Sequence, residues 1–313
     1  MSATHTITPQ NDTLHGHFSR DLAPILTIQS GDTVRYQTLD ADWIGTWHGT
    51  LDNPPATRKA LGGSFRPRVS PQDDGHALCG PIAVEGAKPG MMLAIHINRI
   101  VPGQWGWTQP WTSVPPEQKD DLPVILWALD AETMIGRNHL GHTVTLRPFM
   151  GVMGMPPAEA GIHRTTMPRA TGGNIDCKEL VAGSTLYLPI AVEGGLFSLG
   201  DGHAAQGDGE SGGTAIECPM SLVDVTFELV ENPLLPTAYA KTPQGWLTFG
   251  FDEDLQTAYD DAQAAMQTLV AARYDVEPKI ALALMGSVVD MRITQTVNIV
   301  RGVHAVLPHG ALR

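Results

Sequence analysis

The stretch Leu196–Glu217, LFSLGDGHAAQGDGESGGTAIE, concentrates residue types that can hold a cation and move a proton. Asp201, Asp208, Glu210 and Glu217 supply carboxylates, His203 supplies an imidazole, and six glycines fall from Gly200 to Gly213. Glycine lets a backbone turn sharply or approach a ligand closely. Lys178 and Lys241 bracket 62 residues that contain nine carboxylates and no Lys or Arg. Carboxylates that converge repel one another unless neutralised, and no nearby basic residue in the sequence does so. A divalent cation is the simplest neutraliser. Carboxylate plus imidazole suits zinc or a similar metal, whereas an oxygen-only set suits a calcium ion that stiffens the loops. A solvated acidic loop is the bland alternative on an acidic chain.

Other residues could join such a centre. His15-Gly-His17 is a possible ligand pair, and Asp176 closes the Gly-supported run Gly173-Asn-Ile-Asp176. His48 and His76 are isolated in sequence, and an isolated histidine is more often structural than a ligand. Cys79, Cys177 and Cys218 form no CxxC and are too few for a disulfide framework. Gly209-Glu-Ser-Gly-Gly213 fits GxSxG by spacing but lies within the glycine-rich stretch, without the strand-to-helix elbow that motif needs, and no GxxxxGK[ST] loop or helix-opening GxGxxG is present, so serine-hydrolase and nucleotide-binding chemistry have no support.

The elements that must position these residues are read from punctuation and period. The 33 glycines and 24 prolines separate short β-rich runs, which predicts a sandwich or barrel-like body. Leu26–Gln29, Thr33–Thr38, Met91–Ile100 and Thr185–Ile190 read as strands beside tight turns. Pro81-Ile-Ala-Val-Glu-Gly86 recurs as Pro189-Ile-Ala-Val-Glu-Gly194, 108 residues later, which suggests two similar β modules. Glu253–Tyr274 has apolar residues at helical spacing with acids first and Arg273 last. A second helix is expected from Pro278 with Gly286 as its stop, followed by strands at Val297–Val300 and Val303–Leu307. The reading is α+β: a β-rich body over residues 1–231 carrying the site, and a mixed α/β part over 232–313 packed on it as one unit. Hydrophobic content of 42% and charged content of 17% are ordinary for a soluble protein. A net charge of −13 argues against nucleic acid or anionic membrane as partner. The polar N-terminus has no signal-type apolar core, no apolar run reaches membrane-spanning length, and a reducing cytoplasmic setting is expected.

With Gly200–Glu217 beside Gly173–Asp176 and Gly80-Pro-Ile-Ala-Val-Glu-Gly-Ala87, the chain resembles the acetamidase/formamidase family. The resemblance extends in collinear order to His15 with Phe18–Asp21, Ser30–Thr33, Pro148–Val152, Gly183–Pro189 and Asp290–Gln295. It implies a metal-dependent, cytosolic, homo-oligomeric enzyme that hydrolyses short aliphatic amides such as formamide and acetamide. Carried over by position, it implies Asp176, His203 and Glu217 as metal ligands with His15 as a fourth. Glu210 is then the candidate general base, with Asp208 in reserve for that role or for ligation. Gly212 stands where many relatives carry Cys, so a cysteine nucleophile is excluded at that position. The loop Thr57–Gly75 is poorly matched, and Met91 replaces a usual Asp.

An amide carbonyl is a poor electrophile, so its hydrolysis calls for polarisation and an activated water. A small substrate further predicts a tight, largely apolar pocket, with Trp105, Trp107, Phe149 or Phe197 lining it. A non-catalytic calcium- or zinc-stabilised β protein and a hydrolase of another small C–N compound are the competing readings.

Overall fold

The 11-residue strands Met92–Pro102 and Met220–Val230 pair antiparallel along almost their whole length and form the spine of the molecule. The computed structural model describes residues 2–111, 114, 115, 118 and 122–313. Around this spine runs a nine-stranded sheet in the order Thr4–Ile7, Thr33–Tyr36, Met220–Val230, Met92–Pro102, Thr185–Pro189, Tyr239–Lys241, Gly245–Asp252, Arg301–Pro308 and Asp290–Gln295. A six-stranded sheet packs against it. Its path runs Gly172–Asn174, Phe149–Gly154, Phe197–His203, Leu78–Val84 and Leu14–His15, with Leu26–Ile28 also paired to Leu78–Val84. Both sheets are open paths, so the body is a layered sandwich and not a closed barrel.

Side-chain alternation along the spine explains the layering, because successive residues of a strand face opposite ways. Leu93, Ile95 and Ile97 point into the core shared with Ile82, Phe197 and Leu199 of the second sheet. Their neighbour Met92 faces the other side, in the layer formed with Met266, Leu269 and Met285. Those residues belong to α1 (Leu255–Tyr274) and α2 (Pro278–Val288), the two α-helices among the described residues. Asp254 caps α1, accepting from the amide of Thr257 at 2.9 Å, and Pro278 opens α2 where no amide donor is needed. No helix among the described residues is long and apolar enough to cross a membrane.

Two expectations change. Gly286 does not end α2, which runs on to Val288; the position faces open space, so glycine there carries only its modest helix penalty of about 1 kcal/mol. Val297–Val300 is a bend and not a strand. The buried Gln295 side chain explains it: its Oε1 accepts from the amide of Val297 at 3.0 Å, and its Nε2 donates to the carbonyl of Val300 at 2.9 Å. That side chain takes the backbone groups a strand partner would need. Leu26–Ile28 and Thr33–Tyr36 form as strands around the turn at Ser30 and Gly31, and they enter different sheets: Leu26–Ile28 pairs with Leu78–Val84, whereas Thr33–Tyr36 pairs with Met220–Val230.

The two PIAVEG copies meet each other. Val84 donates to the carbonyl of Gly194 at 2.9 Å, and Gly194 donates to that of Ala87 at 3.0 Å. Gly86 and Gly194 both lie at positive φ, 83° and 78°, so the shared turn requires glycine in both. The first copy is strand up to Val84, whereas the second leaves the strand after Pro189. The strands after residue 232 continue the nine-stranded sheet begun by the earlier part of the chain.

Candidate functional site

Phe197–His203 is buried along its full length, between Phe149–Gly154 on one side and Leu78–Val84 on the other. Alternation places Asp201 and His203 on one face of this strand. Register sets Phe149 opposite His203 and Val152 opposite Gly200, which leaves Gly151 across from Asp201. Glu217 reaches the same spot from the returning segment, where it bridges both His203 and Trp107. Asp176 arrives from the turn after Gly172–Asn174, and Glu210 from the loop that begins at Gly207. Asp176, Asp201, His203, Glu210 and Glu217 are all buried.

The imidazole is the hub. His203 Nε2 lies 3.3 Å from Asp201 Oδ1 and 3.2 Å from Glu217 Oε2. On its other side, Nδ1 lies 2.9 Å from Gln206 Oε1, and Gln206 Nε2 donates to the carbonyl of Asp176 at 2.8 Å. Because that amide nitrogen is committed to a carbonyl, its oxygen faces the ring and the Nδ1 proton has a partner. In the neutral ring Nε2 is then the lone-pair nitrogen, aimed at the carboxylates, as in histidine metal ligands oriented from behind. Phe149 packs edge-on beneath the ring, centroids 5.1 Å apart.

Two observations fit a cation among these groups. Both Asp176 oxygens, Glu210 Oε2 and Glu217 Oε2 are buried without a hydrogen-bond partner, although buried polar atoms in proteins are nearly always satisfied. Ligand atoms of Asp176, Asp201 and His203, and separately of His203, Glu210 and Glu217, lie within 4.8 Å of one another. Gly151 forms the floor: a Cβ there would stand 2.7 Å from Asp176 Oδ1 and 2.9 Å from His203 Cε1. Asp176, Asp201 and Glu210 also hold left-handed backbone at φ of 52°, 60° and 48°. Such strain gathers where a site demands it.

The charges respond as crowding dictates. Burial, and then the other carboxylates, hold the Asp176 carboxyl well above its ordinary value. Burial pushes Glu210 up to about 8 and raises Glu217. Burial lowers the pKa of His203, but Glu217 and Asp201 outweigh it and raise it well above 6.5. Asp201 is likewise penalised by burial, yet His203 and His76 keep it below the usual carboxylate range.

Of the residues expected at this centre, Asp176, His203, Glu210 and Glu217 converge, and Asp201 joins them. Asp208 does not: it is part exposed and pairs with Lys178 at 3.0 Å, so the basic residue missing from the local sequence comes from the start of that stretch. His15 also lies outside the group. Its Nδ1 contacts the carbonyl of His17 at 2.7 Å and its Nε2 the hydroxyl of Ser198 at 2.9 Å, and Ser198 is on the opposite face of its strand from Asp201. Both ring nitrogens are engaged there. Sequence reasoning missed Gly151 and Gln206; their signal was a glycine in Phe149-Met-Gly151 and a glutamine three residues after His203.

The centre opens into a cavity of about 290 Å³. Its wall is more polar than expected, with Arg58, Arg68, Asp74, His76, Asn174 and Asn298 among the lining residues. Trp107 and Trp111 supply its aromatic side. Trp107 is fixed by its Nε1 donating to Asp40 at 2.9 Å, and Arg58, paired with Asp42, lies over both rings at 5.5 and 5.3 Å. Trp105 and Phe197 lie elsewhere, stacked on Trp47 and packed against Phe227 respectively.

The fold is a strand-built sandwich in which four buried carboxylates surround one oriented imidazole beside a polar cavity. The family model for the acetamidase/formamidase family matches residues 1–163 and again 158–311. The chain belongs to the acetamidase/formamidase family, which places it among amide hydrolases. It is 26% identical to an acetamidase of Mycolicibacterium smegmatis, over 85% of this chain and 82% of that protein. It is also 25% identical to a formamidase of Methylophilus methylotrophus, over 64% of this chain, and spans 60% of that relative's length. A crystal structure of an acetamidase from Bacillus halodurans superposes with a TM-score of 0.81 at 26% identity, covering 97% of each chain.

Proposed function

We propose that the protein is a metal-dependent amidohydrolase that cleaves short aliphatic amides, of the formamide and acetamide type, to the carboxylate and ammonium. The observation that carries this reading is the set of orphaned carboxylate oxygens around His203 Nε2. Asp176, Asp201, His203 and Glu217 would hold the ion, and an imidazole among the ligands favours zinc over calcium. When bound, a divalent cation supplies Lewis acidity that polarises the amide carbonyl and eases deprotonation of a water.

The chain's own residues do the rest. Glu210 is the general base: its Oε2 has no partner and its carboxyl lies at the cavity wall. It takes a proton from the attacking water and returns it to the departing nitrogen, so that RCONH₂ and H₂O yield RCOO⁻ and NH₄⁺. Gln206 keeps the His203 ring turned so that Nε2 faces the carboxylates. Trp107 and Trp111 line the cavity and give the substrate an aromatic wall. The same reading carries cytoplasmic residence and a homo-oligomeric state, the latter tested by light scattering on the pure protein.

The deciding experiment measures ammonia release from formamide, acetamide, urea and longer amides by the parent, Glu210→Gln and His203→Ala. Loss of about two to four orders of magnitude in kcat for Glu210→Gln, and of bound metal for His203→Ala, is expected. Undiminished rates in both variants, or full activity after verified metal removal, would overturn the assignment.

A further inference from the structure

The cavity is too large and too polar for acetamide alone. Its 290 Å³ is roughly ten times a water molecule's share of liquid volume, several times what a two-carbon amide fills. Residues 57–75 contribute Arg58, Arg68, Asp74 and Gly75 to the cavity wall.

The charges on that wall are unequal in availability. Arg58 is spent on Asp42, and Asp74 accepts from the hydroxyl of Ser70 at 3.0 Å. Arg68 lines the cavity and makes no ion pair or hydrogen bond among the described residues. Arg68 is exposed, and in a chain of net charge −13 its guanidinium, unpaired among the described residues, lines the same cavity as Asp201, Glu210 and Glu217. Guanidinium recognises carboxylate through paired, charge-assisted hydrogen bonds.

We infer that the preferred substrates are primary amides whose acyl chain ends in a carboxylate, with Arg68 binding the carboxylate while the amide lies at the His203 centre. This rests on the amidohydrolase reading above and names the substrate class of that same site. The free end of the acyl chain points outward along the wall, so chain length is selected by the separation between the centre and Arg68. Isosteric amides with a neutral methyl end lose that contact.

The test compares kcat/KM for the monoamides of three-, four- and five-carbon dicarboxylic acids with those for neutral amides of equal length, in the parent, Arg68→Gln and Arg68→Glu. One carboxylate-ended monoamide should exceed its neutral counterpart by about tenfold or more in the parent, chiefly through KM. That ratio should fall towards unity in Arg68→Gln and invert for amine-ended amides in Arg68→Glu. Equal rates for charged and neutral amides in the parent, or a ratio that survives both substitutions, would sink the inference while leaving the amidohydrolase assignment standing. Absence of turnover with every amide would instead remove the reading beneath it. Circular dichroism of each variant separates lost selectivity from lost fold.

Discussion

Gly151 lies directly beneath Asp176: a β-carbon at residue 151 would stand 2.7 Å from Asp176 Oδ1. No side chain can occupy that point without displacing the carboxylate. Gly151→Ala is therefore expected to abolish tight metal binding and to reduce kcat/KM by about a hundredfold or more, in line with a displaced catalytic group. Elemental analysis beside circular dichroism would expose an error, through a folded variant that keeps its full metal content.

Metal affinity should depend steeply on pH. Asp176, Glu210 and Glu217 all have pKa values raised by burial, so a cation must displace protons to bind. Affinity then rises with pH through the neutral range and weakens on acidification. Zinc titrations at pH 6, 7 and 8, in buffers of different ionisation enthalpy, measure the protons released. A pH-independent affinity would contradict a site built on these carboxylates.

His15 makes a different prediction, about stability. Burial pushes its pKa down from 6.5 to about 4, so between those values the unfolded chain binds a proton that the native chain refuses. Its contribution is intact above about pH 6.5, declines as the pH falls towards 4, and levels off below. The interval corresponds to roughly 3 kcal/mol. His15→Leu should lose that part of the acid sensitivity and keep its metal content. It should also lose ~1–3 kcal/mol at neutral pH, because Ser198 and the His17 carbonyl forfeit a partner. Urea unfolding of both proteins at pH 7.5 and 5 gives the comparison.

Asp208 offers a negative prediction. Its ion pair with Lys178 is part exposed, with side-chain exposures of 38% and 22%, and such pairs contribute about 0–1 kcal/mol. Asp208→Asn should change stability by less than that and leave kcat/KM within about twofold. A collapse of activity would return Asp208 to the catalytic machinery.

These residues show what the sequence could and could not reveal. His203, Glu210 and Glu217 were legible because their types and glycine spacing are improbable in a simple loop, and Asp176 because it sits in a second glycine-supported run. Asp201 and Asp208 looked alike in sequence. Only strand alternation, which turns Asp201 inward beside His203, and the reach of Lys178 separate them. His15 looked like a ligand because its type is right; its strand pairs with Leu78, which directs the ring to Ser198. Helix α1 was readable from local periodicity. The antiparallel match of Met92–Pro102 with Met220–Val230 was not, because partners more than a hundred residues apart leave no local signature. The bend at Val297–Val300 was hidden for a related reason, since one buried glutamine side chain imposes it.

The loop that presents Glu210 has its anchor far downstream. Gly209 donates to the carbonyl of Thr294 at 3.1 Å, and its own carbonyl accepts from the amide of Thr296 at 3.2 Å. Residues 207–213 thus acquire this support only once the final strands have joined the sheet. The strand Asp290–Gln295 and the residue after it therefore act on the centre from a distance, and a substitution that loosens them should release the loop carrying Glu210 without touching any residue of the site.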